Sequence, residues 1–119
     1  MEEERSDFSC AVGNGDVALS VMIGEGQLGA SIVFKHDVIL VMGGVVIGNL
    51  NLGPGSTLIG DQITVESMVN DVVSQSNRMS VRYLLRGPGG TDCSFLAQHV
   101  VGVDSEMCRF VTNISFVGV

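Results

Sequence analysis

Three sets of residues in this 119-residue chain are of types that could do chemistry. Two histidines, His36 and His99, are the natural candidates for acid/base work near neutral pH. His36 is followed by Asp37, but a carboxylate that orients a catalytic imidazole must face the ring, and adjacency in sequence does not supply that geometry. The pair reads as a solvated turn. His99 stands between Gln98 and Val100 in an extended run and reads as a partly buried structural histidine. A hydrolase or transferase would require His36, Asp37 and His99 to converge in one cleft.

The second set is Cys10, Cys93 and Cys108, an odd number with no Cys-x-x-Cys or Cys/His ligand spacing. No zinc site is expected, and the prediction is three reduced, buried thiols. Cys93 follows Asp92, whose charge has the wrong sign to stabilise a nucleophilic thiolate. The third set is Arg78, Arg82 and Arg86, which recur every fourth residue and so fall on one face of a strand, roughly 13 Å apart. Guanidinium groups so arranged could hold a carboxylate, a phosphate or an acidic partner. Pairing with Glu66 across strands is the plainer expectation.

Two formal motifs carry less. Gly24–Gly29 (GEGQLG) matches the dinucleotide-binding spacing, but that motif needs a helix opening at its third glycine. Ala30-Ser31-Ile32-Val33-Phe34-Lys35 is β-branched and apolar instead, so a glycine-rich connection is predicted and no cofactor. Asn113-Ile114-Ser115 is a formal glycosylation acceptor inside a predicted strand and is read as chance.

These residues must be positioned by strands. The stretch Gln62–Arg86 holds two runs that alternate with period two, turning Ile63, Val65, Ser67 and Val69, then Met79, Val81, Tyr83 and Leu85, to one side. If the runs pair as an antiparallel hairpin with residue numbers summing to 148, the apolar partners meet and Glu66 faces Arg82. That register predicts an exposed interaction face of Arg78, Arg82, Arg86, Glu66, Met68 and Leu84, an apolar-and-arginine mixture of the kind interfaces use. Further alternating runs lie at 17–23, 31–35, 38–42, 45–52, 93–101 and 107–117, with Ser9–Val12 and Thr57–Ile59 as short additions. His36-Asp37 separates two of them as a two-residue turn or a kink.

The fold expectation is a single-domain, all-β, antiparallel β-sandwich of seven to nine short strands spanning residues 8–119, with turns about every eight to twelve residues. A closed barrel is the second choice. Residues 1–7 hold four carboxylates and one arginine and read as an acidic, solvated tail.

Six Lys and Arg against 13 Asp and Glu give a net charge of −7, which argues against nucleic acid and anionic membrane surfaces as partners. The acidic N-terminus is unlike a signal peptide, and the longest apolar run, Val38–Gly48, is far shorter than the roughly 20 residues of a membrane-spanning helix. A cytoplasmic protein is therefore expected. Hydrophobic residues make up 45% of the chain and mean hydropathy is +0.41, high for so small a chain, so either little of this apolar surface stays exposed or some of it is covered by a partner. The functional expectation is a non-enzymatic module that works by protein–protein contact and self-associates into a homo-oligomer. The alternative is a small barrel that carries an apolar ligand.

Overall fold

A computed structural model of the chain describes residues 1–72, 77–101 and 106–119. Two sheets face each other without closing into a barrel, so the sandwich expectation holds and the barrel does not. Nine strands lie among the described residues: β1 (Glu2–Val12), β2 (Asp16–Ile23), β3 (Leu28–Lys35), β4 (Val38–Gly43), β5 (Val46–Pro54), β6 (Gln62–Asn70), β7 (Arg78–Gly87), β8 (Thr91–Val100) and β9 (Met107–Gly118). One sheet has the order β1-β9-β6-β3-β4 and the other β5-β2-β7-β8. Thr57–Ile59, expected as a short strand, instead lies at the one-turn helix Gly55–Leu58 and its exit.

The alternation in β6 and β7 is as read: Ile63, Val65, Ser67 and Val69, with Met79, Val81, Tyr83 and Leu85, are all buried. The hairpin is not there. β6 pairs with β9 and β3, while β7 pairs with β2 and β8, so the two runs belong to opposite sheets and turn their apolar sides toward each other across the core. The connection after β6 joins the two layers. Gln27, buried in the glycine-rich segment, holds its start: Gln27 Nε2 donates to Asp71 Oδ1 (3.0 Å) and the Arg78 carbonyl (3.0 Å), and its Oε1 accepts from the Val72 amide (2.8 Å). Strand β3, not a helix, follows that segment. Residues 73–76 of this connection lie outside the described residues.

Two polar pairs are buried in the layer between the sheets. Tyr83 Oη meets Thr112 Oγ1 at 2.7 Å, and Ser31 Oγ meets Ser67 Oγ at 2.6 Å, which satisfies groups that would otherwise be costly to bury. The rest of that layer is apolar and filled by Leu19, Leu58, Ile63, Phe110, Ile114 and Phe116.

The expected N-terminal tail is corrected most. Residues 2–7 are the first half of an 11-residue strand, β1, which pairs in parallel with β9 from Glu2↔Cys108 to Val12↔Gly118. The sheet is therefore mixed rather than wholly antiparallel. Charge-rich sequence forms strand here because one side of β1 lies against β8 while the acidic and basic residues of the other side stay in water: Glu3, Arg5 and Asp7 are exposed, and Phe8, Cys10 and Val12 turn inward.

Candidate functional site

The seam between β1 and β8 joins the edges of the two sheets. Its partners have residue numbers summing to 103: Cys10 with Cys93, Phe8 with Phe95, Glu4 with His99. Cys10 and Cys93 form a disulfide, which corrects the expectation of reduced thiols. Spacing could not reveal it, because 83 residues separate two cysteines that only the meeting of the sheet edges brings together. The Phe8 and Phe95 rings stack at 4.6 Å. Cys108 stays free and buried, and burial, together with Glu2, Glu4 and Glu3, pushes its thiol up to about 11. It sits opposite Glu2, eight residues along the β1/β9 ladder from Cys10, roughly 27 Å by strand rise, too far to exchange with the disulfide.

His99 closes the far end of the seam. Nε2 lies 3.0 Å from Glu2 Oε1 and Nδ1 lies 3.1 Å from Glu4 Oε1, so the doubly protonated imidazolium is the form that serves both carboxylates. The Glu2 hydrogen bond, aided by Glu4, raises the pKa of His99 against an opposing desolvation. A folded-state pKa above the unfolded value means that this contribution to stability is complete below about pH 6.5 and is lost as pH rises through the raised value. Equilibrium unfolding of the parent is therefore expected to weaken across that window, and His99→Gln to flatten the curve; an unchanged pH profile in the variant would count against the clamp.

The predicted interaction face is divided by the sandwich. Arg78, Arg82, Arg86 and Leu84 lie on the outer side of β7 in the four-stranded sheet, whereas Glu66 and Met68 lie on the outer side of β6 in the five-stranded sheet. Glu66 meets Arg109, not Arg82: Arg109 Nε donates to Glu66 Oε1 at 2.8 Å, Nη2 reaches the same oxygen, and Nη1 reaches Glu3 at 3.2 Å. Arg86 lies 3.7 Å from Asp92, and Arg82 reaches Ser94 Oγ at 3.4 Å. Arg109 went unnoticed in the sequence because its partners, Glu66 and Glu3, lie 43 and 106 residues before it in the chain.

His36 and His99 do not converge. His36 lies beyond the end of β3 where Phe34, Thr64, Asn113 and Asp7 are in register, while Glu2 and Glu4, which hold His99, lie at the other end of β1. His36 and Asp37 form the two-residue turn between β3 and β4, with φ of 51° and 62°. That is the left-handed pair a type I′ hairpin requires, filled by residues less suited to it than Asn-Gly. The partner of His36 is not Asp37 but Asp61, whose Oδ2 lies 2.9 Å from Nε2, with Lys35 Nζ at 3.7 Å. That hydrogen bond is the largest influence holding Asp61 below the ordinary carboxylate range. The turn borders an open cleft of about 320 Å³ lined by Phe34, His36, Asp37, Asp61, Gln62, Thr64 and Glu66.

Asn113 takes part in a side-chain chain along the outer face: Thr64 Oγ1 donates to Asn113 Oδ1 (2.7 Å), and Asn113 Nδ2 donates to Asp7 Oδ1 (3.1 Å). No group of three or more His, Cys, Asp or Glu side chains able to hold a metal ion occurs among the described residues, and no helix among them is long and apolar enough to cross a membrane.

The two open edges lie together on the side away from the seam. β4 and β5 approach there, where a Cβ on Gly43 would stand 2.5 Å from the Ile47 side chain. No Asp, Glu, Lys or Arg occurs between Asp37 and Asp61, so both edge strands are built from an uncharged stretch. Val38, Ile39, Leu40, Met42 and Val46 are 61%, 51%, 39%, 66% and 61% exposed. A shallow apolar groove of about 180 Å³ beside Ile32, Met42 and Met68 adjoins this side on the five-stranded sheet. Comparison with protein-family models, with curated proteins and with solved structures finds no match to this chain.

Proposed function

We propose that the protein is a non-enzymatic contact module whose partner is a second copy of itself, joined through the uncharged β4/β5 side. The observation that carries this reading is the segregation of charge. A chain of net charge −7 repels its own copy wherever charged surfaces meet, and the side built from residues 38–60 has no charge to repel with. An exposed apolar edge strand is also a liability unless it is covered, and β4 has neither the lysines nor the proline that commonly guard an edge.

The setting that suits the chain is an oxidising one, because disulfides such as Cys10–Cys93 persist there and are rare where thiols are kept reduced. This replaces the cytoplasmic reading suggested by the acidic N-terminus.

Light scattering on the purified protein is expected to give twice the 12.5 kDa chain mass. The double variant Val38→Lys with Met42→Lys is expected to run as a folded monomer, since it puts two positive charges per copy at the joint. A parent that stays monomeric at high concentration would end this reading.

A further inference from the structure

We propose that the cleft at the β3–β4 turn is a binding site for a neutral, hydroxyl-rich ligand, a sugar. The argument is one of charge and shape. Asp61 is already engaged by His36, Lys35 and the Gln62 amide, and Glu66 by Arg109. A cationic ligand would find Asp37 as the one cleft carboxylate with no cation partner among the described residues, with Lys35 and His36 beside it. An anionic ligand would meet three carboxylates: Asp37, Asp61 and Glu66. Two of the three carboxylates therefore already have a cation partner, whereas the remaining carboxylate lone pairs, the Gln62 side-chain amide and His36 Nδ1 are good partners for hydroxyl groups.

The half-buried Phe34 supplies the apolar wall, against whose negative π face the C–H bonds of a sugar ring pack well. The volume, about 320 Å³, is at the lower end of the range for small-molecule sites. A second observation concerns the backbone of two of the lining residues. Both turn residues are held at positive φ, a conformation in which Asn-Gly would be relaxed and His-Asp is strained. The fold tolerates that strain at the mouth of the cleft, where His36 and Asp37 present an imidazole and a carboxylate that Asn-Gly would not.

The test is a titration of the ¹⁵N-labelled protein, followed by NMR, with glucose, galactose, mannose, N-acetylglucosamine, maltose and cellobiose. At least one of them is expected to bind saturably, with a dissociation constant on the order of 1 mM and shifts confined to residues 34–37 and 61–66. The variant His36→Asn with Asp37→Gly relaxes the turn, so it is expected to melt no lower than the parent while weakening that binding at least tenfold. Failure of all six sugars to saturate, shifts centred elsewhere, or undiminished binding by the relaxed-turn variant would each overturn the proposal. Val38 of the proposed joint adjoins this turn, so light scattering on the same samples reads the oligomeric state separately from sugar binding.

Discussion

Replacing Cys10 and Cys93 together by serine is expected to lower the unfolding free energy by about 4 kcal/mol and the melting temperature by roughly 15 °C. The disulfide spans 83 residues, and cross-links over long loops remove the most conformational freedom from the unfolded chain. It also fastens two edges that belong to different sheets. Without it, β1 would be held by its ladder with β9, the Phe8–Phe95 stack and the His99 clamp. Urea denaturation of parent and variant measures the difference, and a loss below 1 kcal/mol would show that the bridge merely decorates a seam that other contacts already close. Alkylation gives the companion readout. The native protein is expected to take no label, the denatured protein one label on Cys108, and the denatured and reduced protein three.

The second large effect is expected at Tyr83, the largest fully buried side chain among the described residues. Tyr83→Ala is expected to cost about 4 kcal/mol through lost burial and the cavity left behind. Tyr83→Phe separates the hydroxyl from the ring. It keeps the volume and the contact with Phe8, leaves the buried Thr112 hydroxyl without its 2.7 Å partner, and is expected to cost about 1–3 kcal/mol. The double variant Tyr83→Phe with Thr112→Val removes both polar groups and is expected to recover part of that loss. The phenol itself, pushed up to about 12 mainly by burial, should resist ionisation in a spectroscopic titration until the protein unfolds in alkali. Equal stabilities for parent and Tyr83→Phe would mean that the hydroxyl pair contributes nothing net.

Architecture and site differ in how far the chain alone reveals them. Period-two alternation marks which side of a strand is buried, because successive side chains point to opposite faces whatever the strand's neighbours are. The inward sets in β6 and β7 were therefore legible, as were the all-β class and the turn at His36-Asp37. Alternation cannot say which strand lies beside which. Ile63 and Leu85 are equally well buried as neighbours in one sheet or as residues facing across two, so the proposed hairpin fitted the pattern and still failed. The candidate face of Arg78, Arg82, Arg86, Glu66, Met68 and Leu84 was divided with it, since that set depended on the pairing.

The long-range side-chain pairs became visible only in three dimensions. Cys10–Cys93, Glu4–His99 and Arg109–Glu66 join positions 83, 95 and 43 residues apart. Gln27 of the glycine-rich segment finds Asp71, Val72 and Arg78 only through the fold. By itself, the sequence determined the all-β class, the buried faces of β6 and β7, the His36-Asp37 turn and the charge-free stretch 38–60, because these depend on local geometry and composition. Tertiary structure alone decided that this stretch supplies the open edges of both sheets, that the acidic N-terminus is a strand fastened to β8, and that His36 finds Asp61. Each of these depends on which distant segments the two layers bring into contact, and no local pattern encodes that.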